Sequence, residues 1–247
     1  MSRSPDLLLA ALHWLEYIGL LGGVGALVVR RLGRMPPRIG WAEPPMHIAF
    51  TAALAGGVGV LLFEFHFGWV MAARVIAEGI ALILCVRGIP LVAPFAVLAA
   101  ALLAPAGHAA GVQPEAAGAE LADALHVLAA GMWAGGILAL ASLRPPGGWR
   151  SAEARTMLDR FGRVALIAFG ITALTGLLRA TEQLHQVSDL WATTYGMVLA
   201  LKSAGVVGML GASLGWRRGW PAAPAEAAIG LAVIGLTALL AAFPLQA

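Results

Sequence analysis

The sequence predicts an all-α, polytopic membrane protein, a bundle of about eight transmembrane helices. Of its 247 residues, 60% are hydrophobic and only 12% are charged, and the mean hydropathy is +0.84. A soluble domain of this size carries about a quarter charged residues, so the deficit indicates that a bilayer is the solvent. The apolar residues also recur in runs long enough to cross a hydrocarbon core.

Each predicted span is a run of roughly 20 mostly apolar residues. Arg74 and Glu78 interrupt the third run, and Pro90, Pro94 and Pro105 lie in the fourth. Proline is tolerated in a membrane helix where neighbouring helices satisfy the backbone groups that it frees. The predicted spans are residues 7–29, 45–65, 69–87, 89–107, 121–143, 161–179, 193–215 and 225–245.

The basic residues predict the orientation. With the N-terminus outside, 12 of the 16 Lys and Arg residues fall in cytoplasmic loops. Only Arg3, Arg74 and Arg179 fall on the outer side or in the outer half of the membrane, and Lys202 lies inside a span. Basic loops stay in the cytoplasm, so both termini are predicted to be outside. Short basic clusters between apolar runs indicate membrane lipid, and no nucleic acid, as the partner, although the pI is near 9.7.

Two segments of the chain resemble each other. Residues 11–27 align with residues 124–140, so that His13 matches His126 and a pair of glycines matches another, Gly22-Gly23 with Gly135-Gly136. Glycines in these two helices let backbones approach closely, and we interpret them as packing positions and not as ligand contacts.

A second similarity supports an internal duplication. Gly68 precedes Arg74 by six positions, as Gly196 precedes Lys202. We therefore predict two four-helix repeats, residues 1–115 and 116–247, within one integral membrane unit. Because each repeat holds four helices, both have the same orientation and an axis along the membrane normal relates them.

The histidines are the main candidates for chemistry. The topology places five of the six in the outer half of the membrane or just outside it: His13, His66, His108, His126 and His185. Imidazole is the commonest protein ligand for transition metals, and thioethers such as that of Met71 combine with it to suit Cu(I). The alternative is that each histidine is an interhelical hydrogen-bond donor and that the methionines only pack.

Carboxylates stand beside the two aligned histidines. Asp123 precedes His126 by three residues, and Glu16 follows His13 by three, so each pair shares a helix face. A carboxylate at this spacing can orient an imidazole ring.

The remaining charges inside the spans need partners within the bundle, because each costs roughly 2.5–3.5 kcal/mol at a helix centre. Arg74 and Glu78 are four residues apart and are predicted to pair. The sequence leaves the partner of Lys202 open among Glu64, Asp189 and Glu226. Structural ion pairs are favoured over a proton relay.

The sequence contains no signature of a soluble enzyme. The single cysteine, Cys85, excludes an intrachain disulfide and a cysteine-cluster metal site. There is no nucleotide-binding glycine loop, zinc-protease motif or nucleophile elbow, so we do not expect an enzyme.

An ordered series of motifs in the second half resembles the CopD/PcoD copper-resistance membrane family. The series runs from Asp123-Ala-Leu-His126 to Trp133-Ala-Gly135-Gly136, Arg160-Phe161-Gly162-Arg163, Thr194-Tyr195-Gly196 before Lys202, and Glu226. The resemblance covers residues 121–245 and implies copper homeostasis at the bacterial inner membrane, with His126 most clearly implicated beside Asp123 and Trp133. The chain departs from the family in its ending at Phe243-Pro244.

The resemblance and the predicted symmetry together suggest a copper site on the periplasmic face. We expect His13, His126 and His108 as ligands, Asp123 behind them, and His66 or Met71 as outer contacts. A separate periplasmic copper-carrier protein is expected to deliver the ion. Two alternatives stay open: an electron-transfer subunit in which His13 and His126 ligate a b-type haem, and a scaffold or assembly factor with structural histidines.

Overall fold

The computed structural model describes residues 5–63, 68–104, 116–183, 186, 188–217 and 223–242, and the regular elements among them are helical. The helices are α1 (Leu7–Gly33), α2 (Met46–Phe63), α3 (Trp69–Val86), α4 (Val92–Ala101), α5 (Ala116–Ala130), α6 (Gly136–Ala141), α7 (Ala152–Gln183), α8 (Asp189–Ala192), α9 (Thr194–Arg217) and α10 (Ala223–Ala241). A wide π-helical turn, Gly131–Gly135, joins α5 to α6 without a break.

Seven helices in the described part of the chain are long and apolar enough to cross a membrane. They are α1, α2, α3, the continuous segment Gly118–Ala141 that contains the π turn, most of α7, and parts of α9 and α10. The predicted fold class, a polytopic membrane helix bundle, is confirmed.

The fourth predicted span differs most from the structure. Among the described residues α4 has only ten, which is about 15 Å of helix against a hydrocarbon core of about 30 Å. It begins after Pro90, and Pro94 lies in its first turn, where proline removes no intrahelical hydrogen bond. Conversely, α7 begins at Ala152, nine residues before the predicted span, because the Arg-rich segment between residues 152 and 160 continues the same helix.

Helix α1 lies at the centre of the bundle and packs against α2, the π turn, α6 and α10. Its glycines make these approaches possible. A Cβ atom at Gly19 would overlap the backbone of Ala53 in α2, and one at Gly25 would overlap the backbone of Gly135. The predicted packing role of these glycines is confirmed, because at both crossings the opposing atoms are backbone and cannot move aside.

Arg160 in α7 fixes the C-terminal end of α1. The predicted topology places this end on the cytoplasmic side. The guanidinium of Arg160 donates hydrogen bonds of 2.9–3.1 Å to four carbonyl oxygens at and after the C-terminus of α1, those of Leu32, Met35, Pro36 and Pro37. A helix C-terminus leaves its last carbonyls without partners, and one arginine satisfies several here.

Candidate functional site

Four polar side chains are buried together between α1 and α3. His13 is 7% exposed and Arg74 is 1% exposed, whereas Glu16 and Glu78 are completely buried. We call these four residues the first-half cluster. Side chains of this kind are almost never buried unless they are paired, so their contacts define what the cluster can do.

Glu16 is the centre of the first-half cluster. Its Oε1 lies 2.8 Å from Nε of Arg74, and its Oε2 lies 3.5 Å from Nδ1 of His13. The ring of His13 also contacts the ring of Tyr17, with centroids 5.4 Å apart. Both carboxylate oxygens of Glu16 therefore face nitrogen atoms, one of which carries a permanent positive charge.

Glu78 joins the cluster from α3, on the side of α2. A Cβ atom at Gly57 would lie 3.2 Å from Oε1 of Glu16 and would overlap Oε2 of Glu78. The two carboxyl groups thus meet at the bare backbone of Gly57, where Glu78 is also within electrostatic range of Arg74.

The predicted ion pair of Arg74 with Glu78 was not the main contact, because the arginine side chain reaches α1. Its 2.8 Å ion pair is formed with Glu16, across the helix interface. Sequence spacing gives only neighbours on one helix, so it offered Glu78 and could not offer Glu16. The sequence offered one signal for this contact: a charge inside a span is costly, at Glu16 as much as at Glu78, so each needs a partner.

The second half contains the same residue types in a more open arrangement. Asp123 of α5 interacts electrostatically with Lys202 of α9. Both residues are partly exposed, as is His126, three residues after Asp123. Asp123 was not among the three partners predicted for Lys202. Glu64 and the side chain of Asp189 lie outside the described residues, and Glu226 instead accepts a hydrogen bond from Ser213.

The hydrogen bond of His126 indicates its tautomer. His126 Nδ1 lies 3.0 Å from Thr175 Oγ1, and this hydroxyl lies 2.7 Å from the carbonyl oxygen of Ile171. A threonine hydroxyl has one hydrogen, which the shorter contact assigns to Ile171. Nδ1 of His126 is then the donor toward Thr175, and its lone pair is on Nε2. Metal-binding histidines are held in the same way, with the other ring nitrogen donating to an oxygen atom.

The remaining predicted ligands are distributed as follows. Met71 is buried in α3, three residues before Arg74. His66 and His108 lie outside the described residues, as does His185. Within the part of the chain that the structure describes, no three His, Cys, Asp or Glu side chains form a group that could hold a metal ion. The complete predicted ligand set therefore stays a prediction.

The chain is similar to one named transport protein. Over 107 residues, which are 42% of this chain, it is 37% identical to Copper transport protein CutJ of Bacillus subtilis (strain 168). The match spans about a fifth of the length of that curated relative, 19%. The chain matches no family model and no solved structure. The geometry and the comparison together describe a polytopic membrane protein that resembles part of a copper transport protein.

Proposed function

We propose that this chain handles copper in the bacterial inner membrane and takes the ion from the periplasmic face for import or homeostasis. The observation that carries the proposal is the 37% identity over 107 residues to a protein named for copper transport. The seven apolar helices provide the membrane setting that such a role needs. In the proposed orientation both termini are periplasmic, and a periplasmic carrier protein delivers the ion.

His126 is the residue that we propose contacts copper. It lies in the span Gly118–Ala141, it is partly exposed, and its contact with Thr175 directs the lone pair to Nε2. Imidazole nitrogen is a ligand suited to copper in either common oxidation state. Asp123, one turn earlier on the same helix, adds negative charge near the incoming cation.

The other members of the proposed ligand set are His13, His108, His66 and Met71. The neighbours of His13 compete with copper for its ring, because its Nδ1 faces the Glu16 carboxylate and its ring contacts Tyr17. A copper ion bound between the two halves would have to use Nε2 of His13, on the opposite edge of the ring.

The test is to purify the protein in detergent and to measure metal content and the visible spectrum on one sample. The proposal predicts about one copper ion per chain after loading and dialysis, and no haem absorption. The matched control is His47→Ala, a histidine on the predicted cytoplasmic side, which should bind copper like the wild type. Failure to retain copper would contradict the proposal, and a Soret band would support the haem alternative instead.

A further inference from the structure

One end of the helix bundle carries a surplus of positive charge. There the segment 34–45, which follows α1, meets the segment 142–151, which follows α6. The ring of Trp41 contacts the ring of Trp149, with centroids 6.0 Å apart, and Trp41 Nε1 donates a 3.0 Å hydrogen bond to Glu153 of α7. Residues 30–45 and 142–151 together contain six arginines and a single acidic residue, Glu43. In a membrane-spanning bundle, this end lies at the headgroup region of one leaflet.

The single carboxylate of these segments is already paired. Nε of Arg30 lies 2.7 Å from Oε2 of Glu43, and Nη2 of Arg34 lies 3.9 Å from its Oε1. The other four arginines are exposed and form no ion pair with the described part of the chain: Arg31, Arg38, Arg144 and Arg150. Their charge is complementary to anionic headgroups, which attract clustered arginines at a membrane surface.

An apolar groove opens beside this end, between α1, α2 and α6. Its volume is about 280 Å³, and its walls include Ile18 and Ala26 of α1, Ile48 and Ala52 of α2, and Leu138 of α6. Ile48 is 61% exposed, so the groove is open toward the outside of the bundle. From Ile18 to Ala26 it follows about 12 Å of helix, close to the roughly 15 Å depth of one leaflet of the hydrocarbon core. An acyl chain has the polarity and the direction that such walls require.

The groove and the basic end are continuous. Pro44 and Ser142 line the groove where it reaches this end. Pro44 follows Glu43, the carboxylate that is paired with two arginines, and Arg144 lies two residues after Ser142. Three arginines against one carboxylate leave this mouth of the groove with a net positive charge.

We propose that the groove and its arginine rim bind one anionic phospholipid, with an acyl chain in the groove and the headgroup phosphate at Arg34 and Arg144. Guanidinium groups bind phosphate oxygens strongly and with defined geometry. A zwitterionic phospholipid has the same chain but no net charge, so the rim favours the anionic lipid. Because α1 and α2 belong to the first half and α6 to the second, this lipid contacts both halves. The inference does not depend on copper binding.

Titration of the intact, delipidated protein in a neutral detergent tests the proposal, with bound lipid counted by native mass spectrometry. We expect one phosphatidylglycerol to be retained in preference to phosphatidylcholine. Replacing Arg34 and Arg144 together by Gln should weaken phosphatidylglycerol binding about thirtyfold, because each basic residue near a membrane surface contributes about fivefold. The matched control is Arg87→Gln, an exposed arginine after α3, which has no residue in the groove. Equal retention of the two lipids, or an unchanged preference in the double variant, would overturn the proposal.

A second pair of variants tests the groove separately from the charge. Ala52→Leu fills part of the groove and should weaken the binding of both lipids, whereas Ala55→Leu, at an exposed position of α2 outside the groove, should not. Equal unfolding temperatures of the two variants separate lost binding from lost folding. Inorganic phosphate should not displace the lipid, because it has no chain. Displacement by phosphate, or a dimer whose interface covers the groove in place of lipid, would contradict the proposed occupant.

Discussion

The two halves of the molecule use the same residue types in opposite ways. The first half has a histidine, an acid and a base in its first and third spans. These residues are His13, Glu16 and Arg74, and all three are buried. In the second half, the corresponding types are His126, Asp123 and Lys202, and all three are partly exposed. The acid follows the histidine in one half and precedes it in the other.

From this difference we expect the two halves to have different roles. A sealed ion pair holds helices together and loses stability when one partner is removed, but it leaves no room for an ion. The second-half residues keep part of their surface uncovered by the rest of the chain, so we expect an incoming cation to reach them without opening packed helices. We therefore expect the first half to respond to mutation in stability and the second half in binding.

The largest expected effect is on stability in the first half. Arg74→Gln would leave the buried Glu16 carboxylate without its cation, and breaking a buried pair in this way costs about 3–5 kcal/mol. Lys202→Gln removes the equivalent charge of the second half and should lower stability much less. Thermal unfolding of both variants in the same detergent makes the comparison, and equal losses would contradict the division of roles.

The next effect is on copper binding. We expect His126→Ala to weaken copper binding at least a hundredfold, about 2.7 kcal/mol, because a ligand is removed. His13→Ala decides whether the site is shared: loss in both variants places the ion between the halves, and loss in His126→Ala alone confines it to the second half. Isothermal titration gives the affinities. Unchanged binding in both variants would exclude this site.

A third effect concerns the junction between the halves. Gly135→Ala would drive its methyl group into the backbone of Leu21, which cannot rotate away as a side chain can. We expect a loss of about 1–3 kcal/mol from such overpacking. Gly118→Ala is the control, because a Cβ atom there meets nothing within 4 Å. If the two alanine variants melt at the same temperature, α1 and the π turn do not pack as closely as described.

The smallest effect tests how His126 is held. Thr175→Val removes the hydroxyl that accepts from Nδ1, and losing such a support typically lowers metal affinity at least tenfold. Thr175→Ser keeps the hydroxyl and should bind copper as the wild type does. Copper affinity measured under identical conditions distinguishes the two, and equal affinities would remove Thr175 from the site.

Hydropathy alone predicted the bundle, because the cost of burying polar backbone in lipid leaves long apolar helices as the solution. The contacts inside the bundle were a different problem. Arg74 could be seen to need a partner, but Glu16 lies 58 positions earlier, and only the packing of α2 against both α1 and α3 brings the two side chains together. The electrostatic interaction of Lys202 with Asp123 was missed for the same reason. The π turn has no signature in a run of small and apolar residues.

That π turn has a consequence for the predicted duplication. A π turn holds one more residue than an α turn, so it shifts the rotational phase of everything before it by about 100°, the angle of one residue. Helix α1 is continuous over its 27 residues and has no such shift. If the two aligned segments are superposed on their glycines, the histidines nine residues earlier point in directions about a quarter turn apart. The predicted duplication therefore does not require equivalent neighbours for the two histidines: His13 contacts Glu16 and Tyr17 of its own helix, and His126 contacts Thr175 of α7.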